Sequence, residues 1–478
     1  MSIRRLVILV WMVAGLQLLS AAQTPASQNP PAQSPGGDSA SDRTAPAAAL
    51  SALAGMQPEG GVEDANSDLP QIPALLGGKG TSSAFLPELQ RSNYLRGGVN
   101  VGAAYDDNAL LLPNGESNTS ETIFPNIRIE ESSSRTRWSL GYAGGLTVNQ
   151  KITNQNQGSH NLDFDSQSRL SPHVNLRVAE IFSLTTGFFD SGNGTGVASS
   201  GGPNASLLTP LSTQRNSATT VETNYHFALN DLVGASGSFY DLHFTHAPAG
   251  TLLTDSKTAS GSAFWLHRIF RGDWGGASYR FDRITFNPNG ETRVHSFAAV
   301  NTLSFSKRFT LSGFIGPQYS ENQGLVAGTA QSQPTPSNAW SVGGGVEGGW
   351  QSEHTSLSAG YSRTISDGGG VLGSVRLQNV HAAFRRELIP GWVAALTASH
   401  GTNQSITVPF ATSASSINVT SAGISLERNV GKSIGLRLGY THDFQQQFGL
   451  PAPTPTQDAH RNRVFVTLSY QWAKPLGM

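Results

Sequence analysis

The chain has 478 residues, of which charged residues make up only 13%, with a formal net charge of -1 and no cysteine. This balance, with no basic stretch, excludes nucleic acid as a partner, and the absence of thiols excludes a disulfide framework, a thiolate metal site and a lipidated N-terminal cysteine. Gly is abundant at 53 residues, and no long segment shows the 3.6-residue periodicity of a soluble helix, which argues against an α-rich soluble enzyme.

At the N-terminus Arg4 and Arg5 precede an apolar run from Leu6 to Leu19 and the small residues Ser20, Ala21 and Ala22. This is the layout of a secretory signal peptide cut after Ala22. The apolar run is about 14 residues long, short of the roughly 20 that a spanning helix needs. Residues 23–92 are rich in Pro, Ala, Ser and Gly and poor in aromatic and β-branched residues. Such a segment buries too little apolar surface to offset the entropy of ordering, so it is expected to be a disordered periplasmic extension.

From Asn93 to Trp472 the pattern becomes one of repeated segments in which apolar residues alternate with small or polar ones, the period of a strand with two different faces. In Arg137 to Val148 one face carries Trp138, Leu140, Tyr142, Gly144, Leu146 and Val148. In Ile434 to Thr441 it carries Ile434, Leu436, Leu438 and Tyr440, and in Arg463 to Trp472 it carries Val464, Val466, Leu468, Tyr470 and Trp472. Aromatics mark the ends of such faces at Trp138, Tyr142, Trp340, Trp350, Tyr361, Trp392, Tyr440 and Trp472, as interfacial girdles do around a hydrocarbon band.

The connections alternate in length. Longer polar loops fall near 106–120, 149–157, 190–213, 246–256, 287–292, 320–338, 366–373, 403–416 and 446–459, separated by short links such as Asn230-Asp231, Lys307-Arg308 and Ser352 to His354. Nine long loops and eight short turns make 18 strands, with 16 to 20 as the range if a hairpin is miscounted. The fold class expected is all-β, a transmembrane antiparallel up-and-down β-barrel at 93–472, with 473–478 as an overhang. Barrels near 16 to 18 strands leave an aqueous channel, whereas side chains fill one near eight.

Chemical signatures are sparse. The histidines, including His160, His226, His295 and His442, are scattered singly and read as loop or lumen residues, and neither a HExxH nor a G-x-S-x-G pattern occurs. No enzyme activity, metal or cofactor is expected. Gly431-Lys432-Ser433 reads as a turn, and Gly343 to Gly345 and Gly368 to Gly370 as relief of crowding on curved strands and positive φ in loops. The polar faces carry Arg96, Arg128, Glu130, Arg137, Asp163, Asp165, Arg169, Glu222, Arg280, Asp282, Glu347, Arg376, Arg437, Asp443 and Arg463. A charge at the lipid midplane costs about 2 to 4 kcal/mol, so these are expected to line the lumen, as a selectivity path or as cross-lumen braces.

The first barrel segment runs from Gly97 through Val99, Asn100 and Val101 to Tyr105-Asp106-Asp107-Asn108, and the last ends in the aromatic Trp472. This layout resembles the β-barrel porin family of Gram-negative outer membranes, a group often associated with exopolysaccharide export. The resemblance implies an outer-membrane location and a last strand, Val464, Val466, Leu468, Tyr470 and Trp472, read by the outer-membrane insertion machinery. Ala473 to Met478 depart from that pattern, in which the aromatic is usually terminal. Three functions follow: a porin-like channel for small hydrophilic solutes, an outer-membrane component of polysaccharide export, or a structural or adhesive barrel with a plugged lumen. Lipids, the insertion machinery and either polysaccharide or small solutes are the partners expected.

Overall fold

The computed structural model describes residues 93–109, 115–152, 156–186, 213–246, 254–270, 272–287, 290–306, 308–323, 337–368, 373–406, 416–431, 433–448 and 458–476. The expected signal peptide and the extension at 23–92 lie outside them.

The described chain is one antiparallel sheet. In chain order the strands are β1 (Asn93–Asp106), β2 (Asn118–Ser132), β3 (Thr136–Asn149), β4 (Gln157–Arg169), β5 (Val174–Thr186) and β6 (Thr213–Ala228). Then come β7 (Asp231–His246), β8 (Ser256–Phe270), β9 (Asp273–Phe286), β10 (Glu291–Ser306), β11 (Phe309–Gln323) and β12 (Ser337–Gln351). The last six are β13 (Thr355–Ser366), β14 (Val375–Ile389), β15 (Trp392–Ser405), β16 (Ser416–Val430), β17 (Ile434–Phe448) and β18 (Ala459–Leu476). Each strand pairs with its sequence neighbours, and β1 pairs with both β2 and β18, so the sheet closes into an 18-stranded up-and-down barrel. Closure leaves no unpaired edge.

The strand count and the alternation of long and short connections agree with the sequence pattern. Two short turns had weak signals: Gly272 and Gly391 supply φ of 78° and 81° where β8 meets β9 and β14 meets β15, a conformation that costs glycine nothing. Trp472 does not end the last strand. β18 continues to Leu476, because the first residues of β1 need partners: Asn93 lies opposite Leu476 and Arg96 opposite Ala473.

Following the register around the closed sheet separates the side chains into two continuous faces, since directly opposite residues share a face. One carries large apolar side chains left exposed, among them Leu140, Tyr142, Leu146, Val148, Leu438, Val464, Val466, Leu468 and Tyr470. The other carries most of the interacting ionisable groups and most of the buried side chains, and is the inner face. An apolar belt around a whole barrel is far larger than a water-exposed surface tolerates, and it matches hydrocarbon.

The seam between the first and last strands has its own polar clasp, built from the Tyr105 to Asn108 motif. Asp107 accepts hydrogen bonds from the backbone N–H and the side-chain amide of Asn462, both at 2.6 Å. Asn108 Nδ2 donates to the His460 carbonyl at 2.8 Å, and its backbone N–H donates to Asp106 at 3.1 Å. Asp106 itself lies 3.9 Å from Arg461, which bonds Asp443 on β17 at 2.5 Å.

Candidate functional site: the barrel lumen

Arg96, Arg128, Glu130, Arg137, Asp163, Asp165, Arg169, Glu222, Arg280, Asp282, Glu347, Arg437, Asp443 and Arg463 occupy inward positions on their strands. Arg376 does not. It lies opposite Ile365 and shares its face with Val380 and Phe384, so it points outward near the long-loop end of β14. Charge is costly on the outer face only within the hydrocarbon band, and Arg376 stands above it.

The inward charges form ladders rather than isolated groups. On β1 to β6 they form two sets, the first joining Arg96 to Glu130 at 3.3 Å, and Arg128 to Glu130 at 3.4 Å and to Asp163 at 2.8 Å. Next, Arg177 meets Asp165 at 2.6 Å and Glu222 at 3.7 Å. On β14 to β17 Glu427 lies between Arg437 at 3.2 Å and Arg385 at 3.7 Å, and the Arg437 guanidinium sits 5.5 Å from the centre of the Phe465 ring. Arg280 and Asp282, two residues apart and hence on one face, pair at 2.8 Å. The spacing of alternate signs across neighbouring strands braces the wall and gives the lumen a polar, two-signed lining. Arg177, Arg385, Glu427 and Arg461 were missed by sequence reading; each shares a face with a residue that was singled out.

A second part of the inner face is apolar. Leu232, Phe264, Leu266, Trp274 and Val300 form a buried cluster on β7 to β10, with Phe314 of β11 packed on it. The inner face of β7 to β10 therefore carries an apolar patch as well as the Arg280–Asp282 pair.

At the long-loop end the barrel mouth is drawn in. Ser256 at the start of β8 donates to Asp367, just past β13, at 2.6 Å, and Ser374 donates to Thr292 of β10 at 2.7 Å. Along the wall β8 and β13 are five strands apart, about 24 Å at the usual inter-strand spacing. A 2.6 Å contact can join them only by crossing the opening, so the rim at β13 and β14 leans across the mouth. Gly368 and Gly373, with φ of 66° and 68°, turn the chain there. Asp367, Ser374, Thr292 and Ser256 are all nearly inaccessible to solvent. Gly369 and Gly370 lie outside the described residues. Within β12, by contrast, glycine relieves crowding: a Cβ on Gly343 would stand 2.3 Å from the Gln318 side chain.

Three of the four named histidines are placed differently from expectation, while His226 holds an inward position opposite Leu232. His160, His295 and His442 face outward, where each ring nitrogen is hydrogen-bonded at 2.8 Å, to Tyr142, Tyr279 and Asn462 respectively. An imidazole bonded to a tyrosine suits the amphipathic zone at the edge of the apolar belt. Among the described residues no group of three or more His, Asp or Glu is placed to hold a metal ion.

No family model matches the chain, and no curated protein matches its sequence. Solved structures give distant likenesses. The outer membrane protein OpdK from Pseudomonas aeruginosa is 10% identical, with 80% of this chain and 99% of that one covered and a TM-score of 0.39. OpdQ of the same organism is 9% identical, covering 80% and 98%, with a TM-score of 0.41. The FrpB iron transporter from Neisseria meningitidis is 9% identical, covering 80% and 82%, with a TM-score of 0.42.

Proposed function

We propose that the protein is an outer-membrane channel through which small hydrophilic solutes diffuse, entering past a mouth narrowed by the β13–β14 rim. The observation that carries this reading is the segregation of the two faces in a closed 18-stranded barrel: paired ionisable groups inside, exposed apolar side chains outside. A barrel of this strand number is wide enough to hold water. The short-turn end then faces the periplasm and the long-loop end the exterior. Both signs line the ladders, so the channel is expected to discriminate weakly between anions and cations.

Polysaccharide export would call for aromatic rings open to a passing sugar chain. Phe264 and Trp274 instead lie 6% and 4% exposed in the apolar cluster, so the diffusion reading is the better supported.

The test is conductance of the purified, folded barrel in a planar bilayer. Stepwise current increments with weak ion selectivity are expected. A heat-modifiable, folded barrel that gives no conductance would overturn the channel reading and leave a plugged structural barrel.

A further inference from the structure

On the outer face of β7 to β10 a cluster of cations stands directly above a shallow furrow. Arg283 and Arg293 are opposite one another across the β9–β10 pair. A single carboxylate bridges them: Glu291 accepts from Arg283 Nη2 at 2.7 Å and from Arg293 Nε at 2.6 Å. Each guanidinium has five N–H donors, and the two side chains are 52% and 43% exposed. One strand further, Lys257 lies 3.7 Å from Asp241, which also receives Arg215 at 3.2 Å. Glu321 of β11 is opposite Arg293. With Asp255, which lies 2.6 Å from His243, the rim carries four carboxylates, Asp241, Asp255, Glu291 and Glu321, beside the cations Arg215, Lys257, Arg283 and Arg293, so what it offers an anion is the guanidinium donors beyond those spent on Glu291 rather than an excess of charge.

Directly below the arginines, toward the middle of the barrel, come two aromatic pairs. Phe281 is opposite His295, and Tyr279 is opposite Phe297. Tyr279 Oη and His295 Nδ1 are 2.8 Å apart, and the Tyr279 and Phe297 rings are 4.8 Å apart. Beside them the outer face of β8 is almost bare: Ala259 lies opposite Arg283, Gly261 opposite Phe281 and Ala263 opposite Tyr279. Gly237 of β7 is opposite Gly261. A Cβ built on Gly261 meets nothing within 4 Å, and one on Gly237 meets only a backbone oxygen at 3.9 Å. Nothing packs over the two glycines, so they form an open furrow in the outer wall, flanked by Tyr279 and Phe281 of β9 and by Phe239 of β7, which is opposite Ala259.

We propose that this face binds one phosphorylated lipid of the leaflet facing the long loops. Its phosphate is held by Arg283, Arg293 and Lys257, and one of its acyl chains lies in the Gly237–Gly261 furrow. Guanidinium forks match phosphate oxygens bidentately, and cations at a membrane surface attract anionic headgroups. The missing side chains let a chain approach the backbone closely enough to gain dispersion contact along its length. The site rests on the reading that the outer face meets lipid, but not on the lumen being open.

The experiment places the purified barrel in phosphatidylcholine nanodiscs doped with bis-phosphorylated lipid A or with dephosphorylated lipid A. Native mass spectrometry reads the lipid retained. Retention of the phosphorylated form is expected, weakened at least about tenfold in R283Q/R293Q and also reduced in G261L, whose added side chain enters open space. Should the arginine variant fail to fold, the melting temperature of the wild-type barrel serves instead, rising with the phosphorylated lipid and not with the dephosphorylated one. Equal retention of both lipids, unchanged retention in R283Q/R293Q, or equal protection by inorganic phosphate alone would overturn the site. Conductance separates the two readings: a silent barrel that retains the lipid refutes only the channel, and a conducting barrel indifferent to phosphate refutes only the site.

Discussion

Asp107 holds Asn462 twice, by its backbone N–H and by its side-chain amide, across the line where the first strand meets the last. The bonds join residues 355 positions apart, so they can form only when the barrel closes. Hydrogen bonds to a carboxylate contribute about 1.5 to 3 kcal/mol. Asp107→Ala is therefore expected to lower barrel stability by about that much, read as a fall in the urea midpoint of the heat-modifiable band. An unchanged midpoint would show that backbone pairing alone fixes the seam.

Beside this seam, Arg461 of β18 and Asp443 of β17 pair at 2.5 Å with side chains only 6% and 7% exposed. Ser421 also donates to Asp443 at 2.6 Å. Removing one partner of a buried pair leaves an uncompensated charge and costs about 3 to 5 kcal/mol. Asp443→Ala should accordingly harm folded yield more than Asp107→Ala. The reverse order in an urea titration of both variants would contradict the burial argument.

Arg128 offers a contrast, because its side chain is 42% exposed and its partners Glu130 and Asp163 are part-exposed. Such pairs contribute at most about 1 kcal/mol each. Arg128→Gln is expected to leave stability nearly unchanged while removing one positive charge from the ladder. The reversal potential in a salt gradient should shift toward cation preference, and the shift should shrink as ionic strength rises. No shift at low salt would mean that ions do not pass this wall.

The rim contact gives a prediction about the mouth. Asp367→Ala combined with Ser374→Ala removes both contacts that hold the rim across the mouth, freeing the β13–β14 rim to swing back toward the wall. Larger or more variable single-channel conductance is the expected result, with little loss of folded protein. A conductance equal to that of the wild type would place the narrowest point elsewhere.

What the sequence made legible was everything governed by local alternation and punctuation. The faces of Arg137 to Val148 and Arg463 to Trp472, the strand number and the girdle aromatics follow from period 2 and loop spacing, and they reappear in the register. Arg376 shows where that logic thins: alternation ties it to Gln378, but a polar pair near a strand end fits either the lumen or the headgroup zone. The Asp367–Ser256 contact had no local signal at all, since its partners are 111 residues apart and meet through the curvature of the whole barrel. Arg461 was likewise invisible as a seam residue until closure put it beside Asp106.

The two faces can be tested at adjacent residues. Leu396 points outward between Phe384 and Ile424, and Thr397 points inward between Ala383 and Gly423. Leu396→Arg puts a guanidinium into the apolar belt, at a cost of about 2 to 4 kcal/mol near the midplane. Thr397→Arg puts the same group into the lumen, where Thr397 is exposed and the facing Gly423 lacks a side chain. The neighbouring Gly439 suits this purpose less, because a Cβ there would lie 2.3 Å from the Phe465 ring. Folded yield in membranes should therefore fall sharply for Leu396→Arg and hardly at all for Thr397→Arg. The surviving Thr397→Arg barrel should then conduct less and favour anions more than the wild type, since a positive charge now stands in the solute path. Equal loss of folding in the two variants would refute the face assignment. A well-folded Thr397→Arg barrel with wild-type conductance and selectivity would show instead that solutes do not pass along β15.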